Sequence, residues 1–297
     1  MSATISPSTK RTYGVERVCA AWDWPRSTLY ARRARQAAPA VILRKRGPQP
    51  KLSDDALLEL IRADLAGSPF AGEGHRKVWA RLRVRDEIRV SRKRVLRLMR
   101  EHHLLSPHRG RQGVALAHDG QIITTAPNLM WGTDGARVFT LTEGWVWVFT
   151  AVEHWNAECV GWHVCKVGDR YAALEPISMG LKAIYGALAP AVARGLKLRM
   201  DHGTQYLSDH FLNQIRYWGI APSFAFIEQP QTNGVAERFN RTLKEQLIHG
   251  RHYRTVEDLR AAVRHFVELY NRQWRIEKRG YLPPIEAREQ YDLRRAA

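Results

Sequence analysis

Residues 229–244 read QPQTNGVAERFNRTLK, a loop-forming run followed by the start of a helix. The proline, asparagine and glycine of its first half suit a turn and a helix N-cap. From about Val235, apolar side chains recur at spacings of three and four, which predicts an amphipathic helix. Glu237 lies on a different face of that helix, with Arg241 and Lys244 one and two turns below it. The segment thus presents one carboxylate and two cations on a single helix face.

Glu237 and Arg241 alone would be an ordinary surface pair, which contributes only tenths of a kcal/mol. Two acidic residues upstream change this interpretation. Asp134 lies in the run LMWGTDGA, and Asp201 ends the run LKLRMD. Thirty-five residues separate Asp201 from Glu237. Hard ions such as Mg²⁺ prefer carboxylate oxygens, so three acids gathered in one cleft would suit phosphodiester chemistry.

Asp134, Asp201 and Glu237, with Lys244 seven residues after Glu237, resemble the DDE signature of transposases and retroviral integrases. The surrounding sequence is most similar to the larger open reading frame of IS3-type insertion sequences. The matching motifs are WGTD at 131–134, DxGxQY at 201–206, NGxAERF at 233–239, YN at 270–271 and GYxP at 280–283. The resemblance covers roughly residues 50–290.

The resemblance implies an α/β protein with an RNase H-like catalytic core, a mixed five-stranded sheet with helices in which the three acids meet. Asp134 would bridge two Mg²⁺ ions, which Mn²⁺ can replace, and Asp201 and Glu237 would each complete one side. The implied reaction first uses water to release a 3′-OH at the element end. That 3′-OH then attacks another phosphodiester, which joins the strands.

Further residues are expected around this centre. Arg241, Lys244 and Asn233 would hold substrate phosphates, and His202, Gln205 and Tyr206 would lie beside the acids. His202 fits equally well a loop histidine that bonds to backbone. Glu153 stands where many members of the family have Asp, and we interpret it as a structural or supporting acid.

The charge of the chain is high and uneven. Its 297 residues carry a net charge of +18 and are 44% apolar, enough for a sizeable core. Residues 1–124 hold 25 Lys and Arg against 11 Asp and Glu. A polyanion, most simply nucleic acid, is the expected partner of this end. Ribosomal and membrane-surface proteins can also carry a high positive charge. No segment of this chain, however, approaches the roughly 18 consecutive apolar residues of a membrane span.

The cysteines point to a reducing compartment without a zinc module. Cys19, Cys159 and Cys165 form no CxxC pair. In this the chain departs from retroviral integrases, which carry a zinc-binding N-terminal domain. The start of the chain also lacks an apolar signal core. We expect a bacterial cytoplasmic protein associated with the nucleoid, with no membrane partner.

Residues 1–50 predict two short helices and a linker. One apolar face comes from Val15, Val18, Cys19 and Trp22, and Ser27 can begin a second helix that ends in a basic run. The pair suits a small helix-turn-helix, and equally a hairpin that contacts another subunit. Residues 36–52 read as a linker, either a solvated tether or one that tracks phosphates.

Residues 51–107 predict a three-helix DNA-binding domain. Ser53 and Ser91 are candidate N-caps for its first and third helices. Residues 92–102 suit the recognition helix of a helix-turn-helix because its other face is committed to the core. The cations expected to contact DNA are Arg92, Lys93, Arg94, Arg97 and Arg100. The alternative is a solvated basic face.

A linker at 108–127 leads into the catalytic core at 128–250, followed by a C-terminal helical segment at 251–297. The core pattern is three strands, then alternating helices and strands. The strands are expected at 130–138, 145–152, 158–166, 196–200 and 221–225, and the helices after Asp169, at 207–218 and at 235–248. The C-terminal segment is expected to pack on the core or to clamp DNA.

The resemblance implies a DNA transposase whose partners are double-stranded DNA at the element ends and at the target. It also implies a homo-oligomer, dimeric or larger, and a fusion or partnership with a small upstream helix-turn-helix protein. Two other functions stay open: a non-catalytic basic DNA-binding regulator, and an RNase H-like nuclease that cleaves without joining.

Overall fold

The computed structural model describes residues 3–37, 51–107, 123–224 and 234–296. The chain divides into two compact units, residues 1–52 and 53–297. The first unit contains helices α1 (Gly14–Ala21) and α2 (Arg26–Ala37), where the apolar spacing predicts them. Much of the expected linker lies outside the described residues, and so does most of the expected linker at 108–127.

The second unit begins with three helices, α3 (Asp54–Gly67), α4 (His75–Val84) and α5 (Arg92–Glu101), in agreement with the sequence. The hydroxyls of Ser53 and Ser91 accept backbone N–H groups at the starts of α3 and α5, as N-caps do. Between α3 and α4, the buried guanidinium of Arg81 pairs with Asp64 at 2.6 Å and with Glu73 at 2.5 Å. This charge network and the apolar faces hold the three helices together.

A five-stranded mixed sheet forms the centre of the second unit. Its strands are β1 (Met130–Thr140), β2 (Gly144–Glu153), β3 (Cys159–Cys165), β4 (Lys197–Met200) and β5 (Ala221–Phe224). The strand order is β3-β2-β1-β4-β5. The first three strands are antiparallel, while β4 and β5 run parallel to β1. Strand β1 is therefore central and is paired on both sides.

The remaining helices are α6 (Arg170–Tyr185), α7 (Thr204–Leu207), α8 (Asp209–Tyr217), α9 (Gly234–Leu243), α10 (Val256–Gln273) and α11 (Pro284–Ala296). The helix expected at 207–218 is present as α8, and the short α7 ahead of it was not expected. Ser208 is extended between them, and its hydroxyl accepts the Phe211 N–H as the N-cap of α8. The helix expected at 235–248 differs at its end, because α9 stops at Leu243 and a π-helical turn spans Lys244–Ile248.

Helices cover both faces of the sheet, as in an RNase H-like α/β fold. Alternate residues of β1 and β2 point to opposite faces. Trp131 and Phe149 pack with α6, α7 and α8, whereas Val138 and Val148 pack with α9 and α10. Gly161 in β3 allows a close approach to α6, because a Cβ there would lie 1.8 Å from a backbone oxygen of Pro176.

The three-helix module packs on the same sheet through the loop between α3 and α4. The Phe70 side chain joins the apolar cluster beneath α9 and α10 and meets Trp274 edge-on, with ring centroids 4.9 Å apart. The next residue, Ala71, exchanges two hydrogen bonds of 2.9 and 2.8 Å with the side-chain amide of Gln246. The module and the core are thus one packed body, in which the π-helical turn after α9 contacts the module.

Across the described segments, no helix combines the length and the apolar character needed to cross a membrane.

Candidate active site

Asp134 lies in the central strand β1, partly buried, and both its oxygens are held. Its Oδ1 accepts the Gly135 N–H at 2.8 Å, and its Oδ2 accepts the side-chain amide of Asn240 at 2.7 Å. Burial raises the pKa of the Asp134 carboxyl, and the nearby charge of Asp201 raises it further. The two hydrogen bonds and the positive charge of Lys244 act in the opposite direction. The carboxylate therefore lies in a negative, weakly solvated environment.

Asp201 comes directly after β4, where the parallel pairing with β1 directs it towards Asp134. Gly132 is aligned with Arg199, so the same register continued by two residues sets Asp201 beside Asp134. The Asp201 Oδ1 accepts the Gly203 N–H at 2.8 Å. A Cβ on Gly203 would lie 2.7 Å from the amide nitrogen of Gln205 and 3.0 Å from the Asp201 Oδ1. Glycine here leaves room for both groups.

Glu237 reaches the same region from the first turn of α9 and is partly exposed. Burial raises the pKa of its carboxyl, the charge of Asp134 raises it further, and Arg241 opposes both. Asp134 thus interacts electrostatically with Asp201 on one side and with Glu237 on the other. The three acids come from β1, the end of β4 and α9, which are distant in sequence.

The donor chemistry of these acids fits a hard divalent cation. Within the parts of the chain that the structure describes, no three His, Cys, Asp or Glu side chains form one closed metal-binding group. Mg²⁺ does not need one, since it is usually held by one or two carboxylates together with waters and substrate phosphates. Asp134 with Asp201, and Asp134 with Glu237, are two such carboxylate pairs. Among the described residues, each Asp134 oxygen has one hydrogen-bond donor and retains acceptor capacity.

The expected phosphate-holding residues are only partly described. Arg241 and Lys244 are both exposed, on the helix and turn that carry Glu237. Their positive charges reach Glu237 and Asp134, respectively. Asn233 lies outside the described residues.

The three residues expected beside the acids have different surroundings. His202 is exposed, and its ring lies 5.6 Å from that of Phe224 in β5. Gln205 places its amide next to the Asp201 carboxylate. Tyr206 is fully buried in the cluster beneath α6 and α8. Burial raises the pKa of its hydroxyl, and the charges of Asp134 and Asp201 raise it further.

Glu153 belongs to the other face of the sheet. It is aligned with Trp131, whereas Asp134 is aligned with Thr150 three residues away, and an odd spacing along a strand reverses the face. Its fully buried carboxylate accepts three N–H groups, from Asn128 at 2.7 Å, Trp155 at 2.9 Å and the Trp131 indole at 3.0 Å. These donors give Glu153 a structural position.

Asn240 is the site residue that the sequence interpretation missed. It is 3% exposed and bonds to Asp134 from the helix that carries Glu237. The available signal was its spacing, because residues three apart share a helix face and Glu237 precedes Asn240 by three. A polar residue among the apolar positions of α9 requires a buried partner.

The basic face of α5 is largely engaged within the protein. Arg94 and Arg97 bind the two oxygens of Asp54 at 2.6 and 2.5 Å, and Arg97 also binds Glu101. Arg92 lies 3.5 Å from Glu277, whose other oxygen pairs with Arg76 at 2.8 Å. Lys93 and Arg100 are exposed, and over residues 51–107 and the other described ranges neither has an ion pair.

A three-helix module followed by a mixed sheet that carries the acids defines a helix-turn-helix protein with an integrase-type core. Two domain families match: the HTH-like domain over residues 53–112 and the integrase core domain over residues 218–284.

Several transposases are similar in sequence. The chain is 30% identical over 240 residues to the transposase assigned to insertion sequence IS986/IS6110 in Mycobacterium tuberculosis strain H37Rv, which covers 75% of this chain and 83% of that protein. It is 28% identical over 228 residues to the IS629 transposase of Shigella sonnei, covering 73% and 74%. The crystal structure of the BIV integrase catalytic core is 20% identical with a TM-score of 0.41, covering 57% of this chain and 99% of that one. The chain belongs to the IS3-type insertion-sequence transposases.

Proposed function

We propose that this transposase uses Asp134, Asp201 and Glu237 to cut DNA at the ends of its element and to join those ends to a target. The observation that carries the proposal is the position of Asp134, a weakly solvated carboxylate within electrostatic range of both other acids. Burial raises the pKa of the Asp134 carboxyl and the charge of Asp201 raises it further, and carboxylates perturbed in this way cluster at functional sites.

Two Mg²⁺ ions, for which Mn²⁺ can substitute, would supply positive charge to the attacking and leaving oxygens of the phosphodiester. Asp134 would contact both ions, with Asp201 and Glu237 each completing one side. The Gly135 N–H and the Asn240 amide keep the Asp134 carboxylate in a fixed orientation. Burial and a neighbouring acid raise the pKa of Asp134 and of Glu237, and a bound cation would offset both effects.

The protein's own cations would bind the DNA backbone. The exposed Lys244, in the π-helical turn after α9, would act as a point charge on a substrate phosphate, while Arg241 on α9 would present a planar fork. The exposed His202 and the half-buried Gln205 would contact the nucleotides next to the scissile bond, and Asn233 would contact DNA beside them. In α5, the exposed Lys93 and Arg100 would make the first contacts with the element end, and Arg92, Arg94 and Arg97 would need to leave their present partners.

Cutting and joining two ends would require more than one subunit. The proposal therefore includes a homo-oligomer, dimeric or larger, with double-stranded DNA as element end and as target. It also includes action at the bacterial nucleoid and a functional link to a small upstream helix-turn-helix protein.

Two other functions use the same fold. A regulator would bind DNA with its acids idle, and a nuclease would cleave without joining. The unfavourable electrostatic environment of Asp134 argues against the regulator, because a binding protein gains nothing from placing acids near one another. The docked three-helix module favours end recognition, and so transposition over simple cleavage.

A strand-transfer assay on linear ends of the cognate element separates the three functions. The transposase gives Mg²⁺-dependent cleaved and joined products, the nuclease gives only cleaved ones, and the regulator gives only a shifted complex. Replacing Mg²⁺ with Ca²⁺ should keep DNA binding and stop cleavage. Cleavage that proceeds equally well in Ca²⁺ would contradict the proposed metal chemistry.

A further inference from the structure

Asn240 contacts two residues that are aligned across neighbouring strands of the sheet. Asp134 in β1 and Thr150 in β2 are directly aligned in the antiparallel ladder, so their side chains are neighbours on the same face of the sheet. Asn240 lies over this pair from α9. Its Nδ2 donates to the Asp134 Oδ2 at 2.7 Å, and its Oδ1 accepts the Thr150 hydroxyl at 3.0 Å. The amide therefore connects the helix to both strands.

The orientation of this amide is fixed by the chemistry of its partners. An ionised carboxylate only accepts hydrogen bonds, so the NH₂ end must face Asp134 and the carbonyl end must face Thr150. The Thr150 backbone oxygen in turn accepts the Thr133 hydroxyl at 3.0 Å. Because Asn240 is 3% exposed, water does not compete freely for these bonds. Thus Asn240 cannot rotate without losing buried hydrogen bonds, which is costly.

We propose that Asn240 is a positioning residue: its side-chain amide fixes the Asp134 carboxylate in the orientation that holds a divalent cation shared with Glu237. This inference rests on the proposed function. Asn240 holds one oxygen and the Gly135 N–H holds the other, so the carboxylate plane is set while acceptor capacity remains on each oxygen. Asn240 and Glu237 are three residues apart on α9, so the same hydrogen bond sets the distance between Glu237 and Asp134.

A purely structural role would clamp α9 to the sheet without affecting cation binding. Thr242 provides the matched control, because it is also buried on α9 and its hydroxyl donates to the Arg238 backbone oxygen at 3.0 Å, with no bond to an acid among the described residues. The test uses the full chain with Asn240→Leu, Thr150→Val and Thr242→Val. Thr150→Val removes the donor to the amide oxygen and keeps the side-chain shape, so the proposal stays testable if Asn240→Leu folds poorly.

Mn²⁺ binding to the DNA-free protein is measured by titration calorimetry, beside the thermal stability of each variant without metal. Residues that orient metal ligands typically change metal affinity by about 10–100-fold. Asn240→Leu should weaken Mn²⁺ binding by that factor, Thr150→Val should weaken it less in the same direction, and Thr242→Val should leave it unchanged. The proposal is overturned if Asn240→Leu affects Mn²⁺ affinity no more than Thr242→Val, or if the unmodified protein binds no Mn²⁺.

Strand transfer provides the second readout. Raising the Mg²⁺ concentration should restore most of the joining rate of Asn240→Leu, because the residue orients a ligand and takes no part in the reaction itself. A loss that no Mg²⁺ concentration restores, with Mn²⁺ affinity intact, would assign Asn240 a different role. If the unmodified protein binds Mn²⁺ but neither cleaves nor joins ends, the proposed function fails, while the Mn²⁺ affinities still decide the role of Asn240.

Discussion

At the scale of single residues, Glu153 and Asp134 are acids of neighbouring strands with opposite surroundings. Glu153 is fully buried and accepts three N–H groups, whereas Asp134 accepts two and interacts with two other acids. The first arrangement satisfies a carboxylate, and the second leaves acceptor capacity for a cation. Residue type alone does not distinguish the structural acid from the candidate site acid. The difference arises because Glu153 and Asp134 lie on opposite faces of the sheet.

Replacing Glu153 should therefore cost stability. In Glu153→Gln, an NH₂ group must face at least one N–H donor, so the free energy of unfolding should fall by roughly 2–4 kcal/mol. Urea denaturation measures this, and the exposed Glu175→Gln should stay within about 0.5 kcal/mol of wild type. A stable Glu153→Gln protein that has lost joining activity would instead make Glu153 part of the site.

His154 predicts a pH dependence of stability. Burial lowers the pKa of its ring from 6.5 to about 4, and the positive charges of Lys278 and Arg199 add to this. The folded protein keeps the ring neutral, while the unfolded chain protonates it. The stability that comes from the neutral ring is therefore fully present above pH 6.5 and is lost as the pH falls towards 4. The loss should reach roughly 3 kcal/mol. In melting curves, His154→Leu should be less sensitive to acid over this range; an unchanged slope would contradict the assignment.

At the scale of elements, local spacing predicted which segments are helices and strands but not how they pair. The caps at Ser53 and Ser91 and the apolar run of β2 are local signals, and the structure has those elements. The strand order and the break at Ser208 depend on packing against the sheet. The three acids are predictions from the resemblance, whereas the contacts of Asn240 depend on the alignment of Thr150 with Asp134, which local spacing does not give.

Local spacing also does not predict the ion pairs of α5. Arg94 and Arg97 are neutralised by Asp54 in α3, which is distant in sequence. Asp54→Asn should free both guanidinium groups for phosphates. DNA binding should tighten, and the logarithmic salt dependence should steepen by about one to two, since each added phosphate contact releases counterions. Salt titrations of DNA binding measure this.

Asp55→Asn is the matched control for that experiment. Asp55 is an exposed acid in the same helical turn, and no ion pair of Asp55 occurs in the described ranges. Asp55→Asn gives the same change in net charge as Asp54→Asn but does not release an arginine from an ion pair. Equal effects of the two variants would mean that overall charge, and not the release of Arg94 and Arg97, controls DNA binding.

At the scale of the whole molecule, the three-helix module and the catalytic sheet share an apolar core. Phe70 is 6% exposed within that core, and Gln246 binds the neighbouring backbone just after α9. This docking gives the module a fixed position relative to Glu237. It was not predictable from the sequence, because the loop that makes the contact is short and carries no periodic pattern.

Phe70→Ala tests the docking. Truncating a buried phenylalanine typically costs about 3–5 kcal/mol, and here the loss falls at the contact between module and core. Calorimetric unfolding should change from one transition to two, and joining should decrease more than DNA binding. The exposed Phe139→Ala should leave the single transition in place. A single, uniformly lowered transition in Phe70→Ala would mean that the module and the core unfold together regardless of this contact.

The central claim is that three carboxylates from β1, the end of β4 and α9 act as one centre in DNA joining. The most direct measurement is the yield of joined product from pre-cleaved element ends in Mg²⁺, with Asp134→Asn compared with the unmodified protein at equal DNA occupancy. Asp134→Asn should bind the ends as well as the unmodified protein does and should form no joined product. Full joining by Asp134→Asn would contradict it.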